Sequence, residues 1–362
     1  MNPLRTISTY CLSAVALVCL LAGCGEPDDR PSEIVSLRVL AVRAETPFVA
    51  PGESTKLSLL AYDGSPLARS KKGIQRKTST VWIAGCVNPP GDSYSGCDHH
   101  LHQVAKHLDA ATLSSETIPD GLEEGVVGFG SEFAVRTPSD IVSSRDRAAG
   151  VIYPYGLELV FFAHCGGVLK PIDVAESSFP LGCFDAQTGE PLGRDDFEFG
   201  FFSLYAYDSV TNENPVLNGM RFDAREAPVA CSELEPCASG YHCGAEATCI
   251  PVVSRCKASD DSDCEKYRVT VDVARSSREP AVTAHVDKSE ADTETLWVSY
   301  YASDGSFEED ARIISDPNSG WGKDTFGEWK ANTKRSGQVR LFAVVRDNRN
   351  GVAWDYRDVW VE

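Results

Sequence analysis

Several things are scarce or missing in this chain. No apolar run reaches the roughly 20 residues that a bilayer-spanning helix needs. Basic residues are few: 34 Lys and Arg stand against 53 Asp and Glu, a net charge of −19. That balance leaves no electrostatic footprint for nucleic acid and repels anionic headgroups, so nucleic acid is not an expected partner. Long helical periodicities are absent, whereas 29 Gly and 20 Pro supply turns, which favours short strands joined by many turns. No Gly-x-Ser-x-Gly elbow, Walker loop, dinucleotide fingerprint, His-Glu-x-x-His or twelve-residue EF-hand loop occurs. Paired Cys-x-x-Cys motifs are missing as well, which argues against zinc.

What is present begins at the N-terminus. Arg5 is the only charge before Glu26, and residues 10–21 form a short apolar core followed by Ala22-Gly23-Cys24. The length and the small residues at its end identify a secretory signal. Leu21-Ala22-Gly23-Cys24 resembles the bacterial lipoprotein box. That resemblance implies a signal peptide over 1–23 and lipidation of Cys24, whose sulfur forms the thioether to a diacylglyceryl group. A further chain such as palmitate on the freed amine would give the two lipid signals that stable anchoring requires. Residues 24–32 read as a polar, Pro-containing spacer, and Gly25 resembles the pattern of lipoproteins sorted to an outer membrane. The implied membrane partner is therefore reached through the lipid on Cys24. The 339 residues after the signal keep 33 basic and 53 acidic groups, or −20, and that length predicts two domains with separate cores.

Of 13 cysteines, Cys11 and Cys19 leave with the signal and Cys24 takes lipid, so ten remain. An even set in an exported chain predicts five disulfides. The spacing pairs Cys86 with Cys97 and Cys165 with Cys183. It leaves three bridges among Cys231, Cys237, Cys243, Cys249, Cys256 and Cys264, whose connectivity stays open.

The fold class read from the pattern is all-β: two Ig-like β-sandwich domains in tandem with a small disulfide-rich insertion. Residues 33–210 are read as one enlarged sandwich with long loops. Two β-branched runs flank Pro51-Gly52, and Val81-Trp82-Ile83-Ala84 follows as a third strand whose tryptophan fills the core. Residues 128–136 and 156–164 predict further strands, and the aromatic, alternating stretch 197–209 predicts a closing one. Asn212-Glu213-Asn214-Pro215 disfavours helix and marks a boundary. Residues 211–362 then form the second sandwich, with residues 227–266 inserted between its first two strands. Thr295-Leu296-Trp297-Val298 is read as the counterpart of the Trp82 strand, and residues 347–350 as a hairpin turn. The boundary segment and the C-terminal module resemble those of myxobacterial (deltaproteobacterial) lipoproteins with Ig-like modules. The cysteine spacing resembles EGF-like or dickkopf-like knots, too poor in apolar residues for a core of their own.

Two groups of side chains invite a metal. His99, His100, His102 and His107 fall within nine residues of a stretch, 98–110, with helical character, where His99 and His102, or His100 and His107, would share a face. Asp304, Asp310 and Asp316 lie in one polar loop and Asp347, Asn348 and Asn350 in another, an oxygen chemistry that would suit calcium. Each group also has an ordinary structural use, in a polar helix or in turns, and no cofactor is otherwise implied. The expected function is a lipid-anchored, non-catalytic envelope or cell-surface protein, with an envelope protein or a glycan as its partner. The alternative is an extracytoplasmic metal-dependent hydrolase built on the histidines with Asp98 nearby. It requires those side chains to meet in a cleft.

Overall fold

In an antiparallel sheet with one buried face, every second side chain enters the core, so alternation in sequence becomes a strand. The computed structural model describes residues 30–70, 76–147, 149–172, 179–223, 229–232, 235–256, 264–282, 293–333 and 335–362. The first ten strands are β1 (Leu37–Ala44), β2 (Phe48–Val49), β3 (Ser54–Asp63), β4 (Ser79–Val87), β5 (Val127–Phe129), β6 (Glu132–Arg136), β7 (Tyr155–Cys165), β8 (Val168–Pro171), β9 (Leu181–Phe184) and β10 (Phe197–Tyr207). They build two facing sheets, β1-β3-β6 and β2-β10-β7-β4-β5, with a separate β8-β9 hairpin. Gly52 takes φ +82° in the Pro-Gly turn before β3, a left-handed position that a β-carbon disfavours.

Between the sheets lie Leu57, Trp82, Phe133, Val160, Phe162 and Leu204. Trp82 is fully buried, with Phe133 stacked on it and Phe162 edge-on at 5.8 Å. A second apolar layer covers the outer face of the five-stranded sheet. Helices α2 (Asp98–Ala105) and α3 (Ala110–Ser115) follow a short α1 (Pro66–Ser70) in the chain. Leu101, Val104, Leu108 and Leu113 from the α2–α3 region lie against Val81, Ile83, Leu159 and Phe161. The disulfide Cys86–Cys97 pins the start of α2 to β4, and Cys165–Cys183 ties β9 to β7. Burial on both faces explains why β7 reads as a nearly continuous apolar run rather than an alternation.

The second sandwich comprises β11 (Leu217–Phe222), β12 (Tyr241–Cys243), β13 (Cys249–Val253), β14 (Lys266–Val273), β15 (Leu296–Ala302), β16 (Ser306–Phe307), β17 (Ala311–Asp316), β18 (Gly320–Trp321), β19 (Phe326–Lys330), β20 (Gly337–Asp347) and β21 (Val352–Val361). Its sheets are β11-β14-β19-β16 and β12-β13-β21-β20-β15-β17-β18. The strand order repeats that of the first sandwich, including a short strand parallel to the last one: β2 beside β10, and β13 beside β21. The chain is thus an all-β protein of two Ig-like sandwiches.

Two expectations need correction. Residues 128–136 are not one strand, because the chain turns at Gly130-Ser131 and places β5 and β6 in different sheets. β15 takes the place in its sheet that β4 has in the first, but Trp297 does not fill the core as Trp82 does: on β15 the inward positions are Leu296, Val298, Tyr300 and Ala302, and the buried tryptophan of this core is Trp329 on β19. The cysteine-rich insertion, between β11 and β14, also takes part in a sheet. Its bridges Cys231–Cys243 and Cys237–Cys249 hold the β12–β13 hairpin, which extends the large sheet, while Cys256–Cys264 closes a third loop.

The sandwiches share a seam, and Ser32–Glu362 is one compact unit. Leu40 and Ala41, with Leu60 and Tyr62 beside them, pack on Phe342, Val344, Val352 and Trp354. The Arg43 guanidinium lies 4.5 Å from the Trp354 ring, and Arg346 Nη2 donates to the Leu40 carbonyl at 2.6 Å. Asn214, read from sequence as part of a boundary, donates to the Ala44 carbonyl at 2.7 Å and accepts from the Val352 N–H at 2.8 Å. Ser32 and Ile34 bond to Ala302 at the end of β15, so the chain enters the body on the second sandwich before building the first.

Candidate binding surface

The residues singled out in the sequence go to separate places. Residues 1–23 and Cys24 lie outside the described residues. Helix α2 buries Leu101 and Val104 against the sheet, which sends His99 outward and leaves His102 half-buried. His107 falls beyond the helix end at Ala105, so it does not share a face with His100. The break was legible: Asp109 caps α3 by accepting the Thr112 N–H, an N-cap that starts a new helix. His100 turns inward and its Nε2 donates to the Ala84 carbonyl at 2.7 Å. Gly85 beneath it has φ +95°, and a β-carbon there would stand 3.0 Å from the imidazole.

Among the described residues, only the sulfurs of Cys231, Cys237 and Cys243 gather as three ligand-type atoms within 4.8 Å, and all three are in disulfides. His99, His100, His102 and His107 are therefore not gathered within metal-ligand distance of one another.

Three of the four acids expected to suit calcium, Asp304, Asp316 and Asp347, hold local turns. Asp304 Oδ1 accepts the Gly305 N–H, and Asp316 accepts those of Asn318 and Ser319. Asp347 is buried, one oxygen taking the N–H groups of Arg349 and Gly351 and the other the Asn212 amide. The 347–350 turn is a clasp on the seam. Arg349 is buried, donates to the carbonyls of Pro280 and Thr211, and lies 3.7 Å from Glu294 and 3.6 Å from Glu279. Burial, with Asp347 nearby, pushes the Glu294 carboxyl up to about 8.

A surface feature that sequence reading noted only as a closing strand is the aromatic row on β10. Phe202 and Leu204 enter the sandwich core, so Phe197, Phe199 and Phe201 fall on the opposite face. Phe199 and Phe201 are 47% and 46% exposed, and Tyr94, 57% exposed, stacks on Phe201 at 6.0 Å. Phe161 and Phe179 support the row from below, 5.9 Å from Phe201 and 5.0 Å from Phe199. Near Tyr94, Arg145 Nη2 and the Tyr155 hydroxyl donate to Asp92 at 2.7 and 2.8 Å; against the effect of burial, these bonds hold Asp92 below the usual carboxylate range. Glu198 points inward, where its carboxylate accepts the Val39 N–H and burial raises its pKa.

The strand order and the disulfide-rich insert define the class: an all-β protein of paired Ig-like sandwiches. No protein-family model matches the chain, and no curated protein matches it. Among solved structures it is similar to the N-terminal Ig1-2 module of the Drosophila receptor protein tyrosine phosphatase DLAR, 11% identical over 90% of this chain and 99% of that chain, with a TM-score of 0.21. It is also similar to the E. coli alpha-2-macroglobulin, 11% identical over 92% of this chain and 17% of that chain, at 0.21. The C-terminal domain of the Streptococcus agalactiae AgI/II polypeptide BspA is 9% identical over 88% and 99%, at 0.18. Superpositions this loose carry no argument, and the fold reading rests on strand order alone.

Proposed function

We propose that this chain is a lipid-anchored, non-catalytic protein of a bacterial envelope, held at the outer membrane through Cys24, whose paired sandwiches present a surface to a partner. The observation that carries the reading is the cysteine pairing: the ten cysteines after Cys24 are joined in five disulfides. Disulfides persist in oxidising compartments, so their number supports export. The lipobox-like Leu21-Ala22-Gly23-Cys24 then supplies the means of retention. The resemblance to myxobacterial lipoproteins belongs to the same reading.

The experiment is Cys24→Ser followed by metabolic palmitate labelling and membrane fractionation. An unprocessed precursor without label is expected. Normal maturation with membrane retention would overturn the anchor.

A further inference from the structure

We propose that the outer edge of β10, between residues 197 and 203, is a strand-addition site that takes an extended segment of a partner polypeptide. That segment is uncharged or basic, with apolar side chains at alternate positions. The inference rests on the reading of this protein as a binding module and names the kind of partner.

The first argument is the backbone. Strand β7 pairs with β10 along its whole length, but on the other side β2 reaches only Tyr205 and Ala206. Along a strand, N–H and C=O groups alternate sides with period two. The Asp196 carbonyl accepts the Gly166 N–H on the β7 side, whereas the carbonyls of Asp195 and Ser203 accept from Leu37 N and Asn350 Nδ2 on the other. Residues 197, 199 and 201 share the parity of Asp195 and Ser203. Their N–H and C=O groups therefore point to the side where, among the described residues, no strand pairs. This leaves a short backbone template bracketed by two filled positions.

The second argument is the side chains on the same residues. Natural sheets blunt open edges with charge. Here β6 carries exposed Glu132 and Arg136, β11 carries exposed Arg221, and β21 carries Asp355, Arg357 and Asp358. The edge of β10 instead carries Phe199 and Phe201, nearly half exposed, with Tyr94 beside them. In strand addition the main chain supplies affinity and pockets for alternate side chains supply specificity, and both elements occur at one place.

Charge selects the occupant. The chain carries −19, so a second copy would bring net repulsion, while Asp195 stands exposed where the open edge begins. A neutral or basic segment has no such penalty.

The test uses the full mature chain in detergent and the synthetic peptide Lys-Val-Thr-Val-Phe-Val-Thr-Lys. Hydrogen exchange is expected to slow at the amides of Phe199 and Phe201 at saturating peptide, while β21 amides are unchanged. Phe201→Pro and Phe201→Ala both lose the ring, but only the first also loses the outward N–H, at a position where an edge strand tolerates proline; the Pro variant should bind about tenfold more weakly than the Ala variant. Phe199→Lys with Phe201→Lys leaves the backbone intact and should abolish binding, with an unchanged melting temperature confirming the fold of each variant. Failure of the peptide to bind at millimolar concentration, or equal binding by the Pro and Ala variants, overturns the proposal. A concentration-dependent dimer of the free chain that Phe201→Pro abolishes overturns it in favour of self-pairing. Binding of a chito-oligosaccharide but not of the peptide, lost when Phe199 and Phe201 are both replaced by Lys, overturns it in favour of ring stacking on a glycan. None of these readouts depends on lipid, so failure here leaves the Cys24 test standing.

Discussion

The last strand of each sandwich occupies the same place in its sheet, β10 between β2 and β7, and β21 between β13 and β20. Their surroundings differ. Beside β21 the cysteine-rich insertion lays a hairpin whose His242 ring stacks on Trp360 at 3.7 Å, and Arg340 joins Glu246 of the insertion to Asp358. Beside β10, on the side away from β7, β2 pairs with two residues, β1 bonds to Asp195 and Glu198, and Phe199 and Phe201 stay nearly half exposed. The first sandwich uses its two disulfides to fasten helices and a hairpin over a sheet face; the second uses two of its three bridges to form a hairpin at a sheet edge. In both halves the flanking strand pairs with only two residues of the last strand, but one half adds a disulfide-held hairpin and charged side chains there, whereas the other presents exposed aromatic rings.

The largest effect should come from Arg349, whose guanidinium lies beside Glu279 and Glu294 of the second sandwich and 5.4 Å from the Phe48 ring of the first. Arg349→Ala leaves Glu294, Asp347 and Glu279 without their buried cation and should cost about 5 kcal/mol. Calorimetry should show the second sandwich, which holds those acids, melting at a lower temperature. An unshifted transition would show that those acids do not need the Arg349 cation.

Core tryptophans give the next effect. Trp82→Ala and Trp329→Ala should each lose about 4 kcal/mol in denaturant titrations, while Trp297→Ala should lose only about 1. Equal losses at all three would restore Trp297 as the counterpart of Trp82 and break the distinction drawn between the two cores.

A smaller effect belongs to the first sandwich alone. Burial raises the Glu158 carboxyl to about 7, where it accepts only the Gly85 N–H, and burial lowers the His164 imidazole to about 4, with Asp63 and Arg76 acting in opposite senses nearby. For Glu158 the folded state holds its proton longer, so its contribution falls as pH rises from about 4.5 to about 7. For His164 the unfolded state binds the proton first, so its contribution falls as pH drops from about 6.5 to about 4. Between about 4.5 and 6.5 the two slopes oppose each other, and Glu294, raised to about 8, adds to that of Glu158. Glu158→Gln removes one contribution, so the stability difference between parent and variant should change by about 3 kcal/mol over that window, the variant losing ground as the pH falls, read by urea unfolding at several pH values. A difference that stays constant with pH would contradict the raised carboxyl.

Much of this architecture is legible in the chain because alternation is a local property. The β10 and β14 segments declare one buried face each, and Pro51-Gly52 declares its turn. The limits of reading appear where a residue has two local uses. Trp297 sits in a strand as β-prone as that of Trp82, but which parity faces inward depends on the pairing of β15 with β17 and β20. The four histidines look like a cluster in one dimension, and helical geometry scatters them because Leu101 and Val104 decide which side meets the sheet. Asp347 resembles a calcium ligand until the seam buries it beneath Asn212. The aromatic row was visible as sequence, but its exposure depends on how short β2 is and on what covers the neighbouring sheet face.

By itself the sequence determined the β class, the turn positions and the even set of ten cysteines after Cys24. These follow from local chemistry: side-chain periodicity, backbone restriction at Gly and Pro, and thiol reactivity. Only the tertiary structure decided which cysteines of the insertion pair, which tryptophan enters the second core, that the halves share a buried seam, and that one strand edge is left open. Each of those depends on contacts between residues far apart in the chain, whose free energy exists only once the sheets have been brought together.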